Sequence, residues 1–227
     1  MKTLYFILMS IFAFYLTSCK KDKTDQEKSM IDKDAKVYAI FIDGTGSYKQ
    51  LPKAKQTIAS LIKSAPAGSK FFVHWITGKT NSDENSIISA NIPEQSSSSG
   101  PYANSKTKQK NSKVQNQIVS VKNQLIKQVM SVNSPKANRT DIYGAIFAAT
   151  ERFANYNKQG ILIIFSDLAD NVNEKYENLS LNGAEVRILD FQTDKKGKNK
   201  RFWNDKFIEL GASEVSFRHT DEILTTK

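Results

Sequence analysis

Short continuous apolar runs alternate along this chain with stretches whose apolar residues recur every three or four positions. The runs are Lys36–Ile42, Phe71–Ile76, Ile161–Phe165, Glu185–Phe191 and Glu214–Phe217. The unbroken run Lys36–Ile42 predicts a buried strand, and the other four predict further strands. Ser86–Ile92 predicts a short edge strand. Leu51, Ala54, Ile58, Leu61, Ile62 and Ala65 predict a helix that Pro66-Ala-Gly68 stops. Val114, Ile118, Val121, Leu125, Val129 and Val132, spaced 4, 3, 4, 4 and 3, predict a second, broken by Pro135 and Asn138. Ile142, Ala145, Ile146, Ala149 and Phe153 predict a third, with Thr140 at the N-cap position. Val172, Tyr176 and Leu179 predict a short helix, and residues 201–210 another, closed by Gly211. Apart from the edge strand, residues 77–112 are rich in Asn, Ser, Thr, Lys and Gly and predict a long polar loop.

Alternating strands and helices specify an α/β class: one doubly wound, mostly parallel sheet flanked by helices, over residues 35–222 with the polar insertion at about 77–112. Such sheets bind ligands at the carboxyl ends of their strands. Asp43 and Asp167 each follow an apolar strand, so the topology places them together.

The first residues carry a different signal. Lys2 precedes an uncharged apolar stretch, Leu4–Leu16, which is too short to span a bilayer and has the shape of a secretory signal. Leu16-Thr17-Ser18-Cys19 resembles the lipobox of bacterial lipoproteins. The resemblance implies that residues 1–18 are removed and that Cys19 carries a diacylglyceryl thioether. The expected location is the bacterial cell envelope, lipid-anchored at the outer membrane on its periplasmic or surface face. Residues 19–34, charged and nearly free of apolar side chains, then read as the lipidated cysteine and a flexible tether.

Cys19 is the only cysteine, which excludes an intramolecular disulfide and a thiolate metal site. The formal charge is +10, and seven lysines and Arg139 lie between Gln95 and Thr140 without an acidic residue. No aromatic interleaving or nucleic-acid motif accompanies them, so nucleic acid is not the expected partner. His74 reads as a hydrogen-bonded core histidine, and Trp75 and Trp203 as packing residues.

Oxygen donors collect where the sheet would bind a ligand. Asp43, Thr45 and Ser47 alternate along one loop, with Gly44 and Gly46 between them allowing the loop to curl. Thr140 opens a later helix and Asp167 closes another strand. Two carboxylates and three hydroxyls suit Mg²⁺, or Mn²⁺ or Ca²⁺, rather than Zn²⁺ or Cu²⁺. In this arrangement the chain resembles a von Willebrand factor A-type domain. That family writes its metal-ion-dependent adhesion site as Asp-x-Ser-x-Ser, a Thr opening a later helix, and an Asp after a central strand. Here these read Asp43-Gly-Thr45-Gly-Ser47, Thr140 and Ile-Ile-Phe-Ser-Asp167; Thr45 replaces Ser, and Asp167 is followed by Leu168 instead of Gly. The resemblance implies that Thr45 and Ser47 bind the ion through their hydroxyls. Thr140 would bind directly or through water, and Asp43 and Asp167 through water and hydrogen bonds. It further implies a protein ligand that offers a carboxylate to the ion, and no catalysis.

Two alternatives use the same residues. One is a domain with this fold acting as a metal-free scaffold. The other is a Mg²⁺-dependent phosphohydrolase, since Asp43-Gly-Thr-Gly slightly resembles the phosphorylation loop of haloacid dehalogenase-like enzymes. Thr45, however, stands where most soluble members of that group carry a second Asp.

Overall fold

All seven residues of β1 (Val37–Asp43) are buried, as the unbroken apolar run requires. The computed structural model describes residues 34–95, 105–191 and 197–219; the signal segment, Cys19 and the tether lie outside them. After β1 come α1 (Leu51–Ser64), β2 (Lys70–Ile76), a 3-10 turn (Asp83–Asn85), β3 (Ser86–Asn91), α2 (Ser105–Ser131) and α3 (Ile142–Ala154). β4 (Gly160–Phe165), β5 (Glu185–Leu189), α4 (Lys198–Glu209) and β6 (Glu214–Arg218) complete the order.

The six strands form one sheet in the order β3-β2-β1-β4-β5-β6. Only β3 runs antiparallel, against β2. Alternate residues of β1 serve two cores. Val37, Ala39 and Phe41 pack with Ile142, Ile146, Ala149 and Phe207 from α3 and α4. Tyr38, Ile40 and Ile42 pack with Ile58 and Ile62 of α1 and Ile118, Leu125 and Val129 of α2. Each fully buried aliphatic or aromatic side chain contributes roughly 1.5–3 kcal/mol. Trp75 and Trp203 are core residues, as expected. No helix among the described residues is long and apolar enough to cross a membrane.

Four expectations are corrected. The polar segment 77–112 is not one loop, because α2 begins at Ser105. Its first turns lack apolar residues, so periodicity could not find them, but Lys and Gln are good helix formers. Thr140 is not the N-cap of α3; Asp141 is, accepting from the Gly144 amide at 2.7 Å. Val172–Leu179 forms no helix. That segment is drawn out over α3 by side-chain contacts: the Tyr176 hydroxyl donates to Asp141 Oδ2 at 2.6 Å, its ring packs on Phe147, and the Ser180 amide donates to Thr150 Oγ1. These tertiary contacts outweigh a weak helical tendency in a polar stretch.

His74 is the fourth. It is buried beside Phe41, and neither ring nitrogen has a hydrogen-bond partner among the described residues. Burial, reinforced by the Arg152 charge, lowers its pKa to about 4, against a smaller opposing effect of Asp83. It is a neutral core histidine, and not a hydrogen-bonded one.

Candidate metal site

Asp43 is the last residue of β1 and lies at the carboxyl ends of the parallel strands, paired in register with Ile76. Only 5% of it is exposed, and both carboxylate oxygens are held. Oδ1 accepts from the Thr45 amide at 2.8 Å, and Oδ2 accepts from the Ser166 hydroxyl at 3.1 Å. The first bond curls the loop back on itself, as Asp side chains do in turns. The curl brings Thr45 Oγ1 and Ser47 Oγ to 3.0 Å from one another.

Gly44 is needed here for space. A Cβ at this position would stand 2.7 Å from the Ile76 carbonyl oxygen and 2.9 Å from Pro135 Cγ. The Gly44 amide donates to Ile76 O, while its carbonyl accepts from the Ala137 amide and the Ser134 hydroxyl. The loop that follows α2 thereby clamps the metal loop. Neither Gly44 nor Gly46 has a positive φ, and nothing lies within 4 Å of a Cβ on Gly46, so glycine's conformational freedom is not what shapes this turn.

Asp167 follows β4 and is exposed; it accepts from the Ala169 amide at 3.0 Å. Leu168 next to it has φ +59°, so the chain turns sharply away from the sheet. Thr140, 5% exposed, is bound to this loop at both backbone groups: its amide donates to Asn171 Oδ1 at 2.8 Å, and its carbonyl accepts from the Asn171 amide at 3.0 Å. The Ile142 amide donates to Asp170 Oδ1 at 2.8 Å. The start of α3 is therefore fixed to the segment carrying Asp167.

Asp43, Ser47 and Asp167 line one cleft of about 460 Å³, together with Tyr48, Lys49, Gln50 and Asp190. Thr45 adjoins it through its bond to Ser47; Thr140 is joined through Asn171 and does not line the cleft. Among the described residues there is no group of three or more His, Cys, Asp or Glu side chains placed to hold a metal ion.

Sequence reading missed several residues. Ser166, completely buried, orients Asp43. Asp190 directly follows the apolar strand β5, the same signal that singled out Asp43 and Asp167, and it accepts from the Tyr48 hydroxyl at 2.9 Å. Burial, with the nearby Asp190 carboxylate, pushes the Tyr48 phenol well above its ordinary pKa, so it stays a donor. Asn171 carried no signal, because its role depends on where its loop folds.

Among solved structures, the von Willebrand factor type A protein from Catenulispora acidiphila superposes with a TM-score of 0.51 at 14% identity, covering 84% of this chain. The fold is that of a von Willebrand factor A-type domain. The chain spans 40% of the length of that solved chain. Proximal thread matrix protein 1 from the mussel byssus matches at TM-score 0.49 and 13% identity, over 85% of this chain and 46% of that one. The human COPII-coat protein Sec24c matches at 0.37 and 11%, over 88% and 30%. No protein-family model and no curated protein matches the chain.

Proposed function

We propose that this chain is a lipid-anchored, divalent-metal-dependent protein-binding module of the bacterial envelope, non-enzymatic and serving adhesion or complex assembly. The observation that carries the reading is the 3.0 Å separation of Thr45 Oγ1 and Ser47 Oγ beside the buried carboxylate of Asp43. Neighbouring ligands of an octahedral Mg²⁺, each about 2.0–2.1 Å from the ion, stand about 3 Å apart. The two hydroxyls have that separation without rearrangement. The donor set also fits a hard cation, since every candidate is an oxygen.

Thr45 and Ser47 would hold the ion through their hydroxyls and Thr140 directly or through water, with Asp43 and Asp167 accepting hydrogen bonds from those hydroxyls or from ion-bound water. When bound, Mg²⁺ supplies an electrophilic centre to which a partner's carboxylate can bind. The chain's own residues do the positioning. Asp43 is fixed by the Thr45 amide and Ser166, the loop is clamped by Ser134 and Ala137, and Thr140 is fixed to the Asp167 loop by Asn171. The match of Asp43-Gly-Thr45-Gly-Ser47, Thr140 and Asp167 to the adhesion motif supports the same assignment.

Affinity capture of the full-length acylated protein from solubilised envelopes, in Mg²⁺ and in EDTA, tests it. Partners retained in Mg²⁺, and lost both in EDTA and from the Asp43→Ala variant, support the proposal. Partners retained equally in all three contradict metal-dependent binding.

A further inference from the structure

The helices on one face of the sheet differ in charge from those on the other. α1 carries Lys53, Lys55 and Lys63, α2 carries Lys106, Lys108, Lys110, Lys113, Lys122 and Lys127, and neither has an acidic residue. α3 and α4, on the opposite face, mix Arg152, Lys198, Lys200, Arg201 and Lys206 with Glu151, Asp205 and Glu209.

α2 is also longer than the layer it packs in. It lies antiparallel to α1, fastened near one end of α1 by Lys55 Nζ to Met130 O at 3.2 Å and at the other by Lys122 Nζ to Ala65 O at 2.6 Å. Residues ahead of Lys122 therefore continue past the carboxyl end of α1. Val114 is the first α2 residue packed on the core; ahead of it Thr107 and Asn111 are half-buried on one side, and the other seven residues of Ser105–Lys113 are exposed. Nine helical residues extend about 13 Å. Lys106, Lys108, Lys110 and Lys113 are all exposed there, with Lys106, Lys110 and Lys113 at i, i+4 and i+7 on one side.

This spur lies at the pole opposite the candidate metal site. β1 begins at that pole, where the Lys36 amide donates to Ser69 Oγ and the Val37 amide to Gln159 O, while Asp43 ends the strand at the other pole. The segment preceding residue 34, which includes Cys19, therefore joins the domain on the side of the spur. Lys63, Lys70 and Lys158 lie at the same end, with the acidic Asp34, Glu185, Glu214 and Glu94, the last 3.9 Å from Lys158.

We infer that the lysine spur at the start of α2 docks on the anionic surface of a phospholipid bilayer and holds the metal-site pole away from it. The choice of a bilayer over another polyanion rests on the lipid-anchored reading, which puts the membrane within reach of a tether of residues 19–34. Lysines near an anionic surface attract it additively and lose that attraction as salt rises.

The test uses the chain from residue 19 onward with Cys19→Ser, so that no acyl group contributes. It is sedimented with vesicles of phosphatidylcholine alone or mixed equally with phosphatidylglycerol. The expected result is binding to the anionic vesicles only, reversed at about 0.5 M salt. The Lys106→Gln, Lys108→Gln, Lys110→Gln, Lys113→Gln variant should bind at least about tenfold more weakly. A Lys79→Gln, Lys175→Gln variant, whose sites flank the opposite pole, should bind as the parent does. Circular dichroism confirms that both variants fold. Equal binding to both vesicle types, equal loss in the two variants, or binding to heparin but not to vesicles would each overturn the inference. Mass analysis of the Cys19 peptide from native membranes reports on the anchor independently: an unacylated cysteine removes that reading whatever the vesicles show.

Discussion

Ser166 donates its hydroxyl proton to Asp43 Oδ2 at 3.1 Å, joining residues 123 positions apart at the ends of two adjacent strands. Ser166 Oγ itself accepts from the Leu168 amide at 3.1 Å, where the chain turns at positive φ. One buried hydroxyl thus fixes both the carboxylate of β1 and the loop that carries Asp167.

Ser166→Ala should cost more than loss of one exposed hydrogen bond. It leaves a buried carboxylate oxygen and a buried amide each short of a partner, at roughly 1–3 kcal/mol per group. Urea unfolding should show a lower midpoint with unchanged slope, and Mg²⁺ affinity should fall with it. Unchanged stability would mean that Ser166 does not position Asp43.

The two glycines of the Asp43–Ser47 loop should respond differently. Gly44→Ala pushes a methyl group against the Ile76 carbonyl oxygen and Pro135, and backbone cannot swing aside, so a loss of about 1–3 kcal/mol is expected. Gly46→Ala meets nothing within 4 Å and should be close to neutral. Thermal denaturation of the two variants side by side checks this contrast.

Asp141 serves α3 twice, accepting from the Gly144 amide at 2.7 Å and from the Tyr176 hydroxyl at 2.6 Å. Asp141→Ala should lower stability by roughly 2 kcal/mol, from the lost cap and the orphaned phenol. Tyr176→Phe should cost about 1 kcal/mol. In a double-mutant cycle the two losses should not add, since the residues share one bond; strict additivity would argue against the contact.

His74 gives the stability a definite pH dependence. Its pKa is about 4 in the fold, against an ordinary value of 6.5, so between these values the unfolded chain binds more protons than the folded one. Its contribution is fully present above about pH 6.5 and is lost as pH falls toward 4, by up to about 3 kcal/mol. His74→Leu should flatten the decline in urea midpoint across that window; an identical decline in the variant would refute the assignment.

The centre of the sheet was legible because β1, β2 and β4 are buried on both faces, which forces continuous apolar runs such as Ile161–Phe165. Asp43 and Asp167 were legible because they stand where those runs stop. What escaped was polar and non-local. The first turns of α2 have no apolar face to betray them. Ser166 and Asn171 act through partners brought close only by folding. The 172–179 segment has helical spacing, but Tyr176 and Ser180 spend their bonds on α3. The roles of Gly44 and Gly46 were misjudged because a sequence pattern cannot separate a need for space from a need for positive φ.

Isothermal titration of the unacylated chain with Mg²⁺ tests the central claim most directly. Saturable one-to-one binding is expected, abolished by Asp43→Ala and weakened by Ser47→Ala, with both variants still folded. No binding, or binding unchanged by Asp43→Ala, would contradict a metal site at the carboxyl end of this sheet.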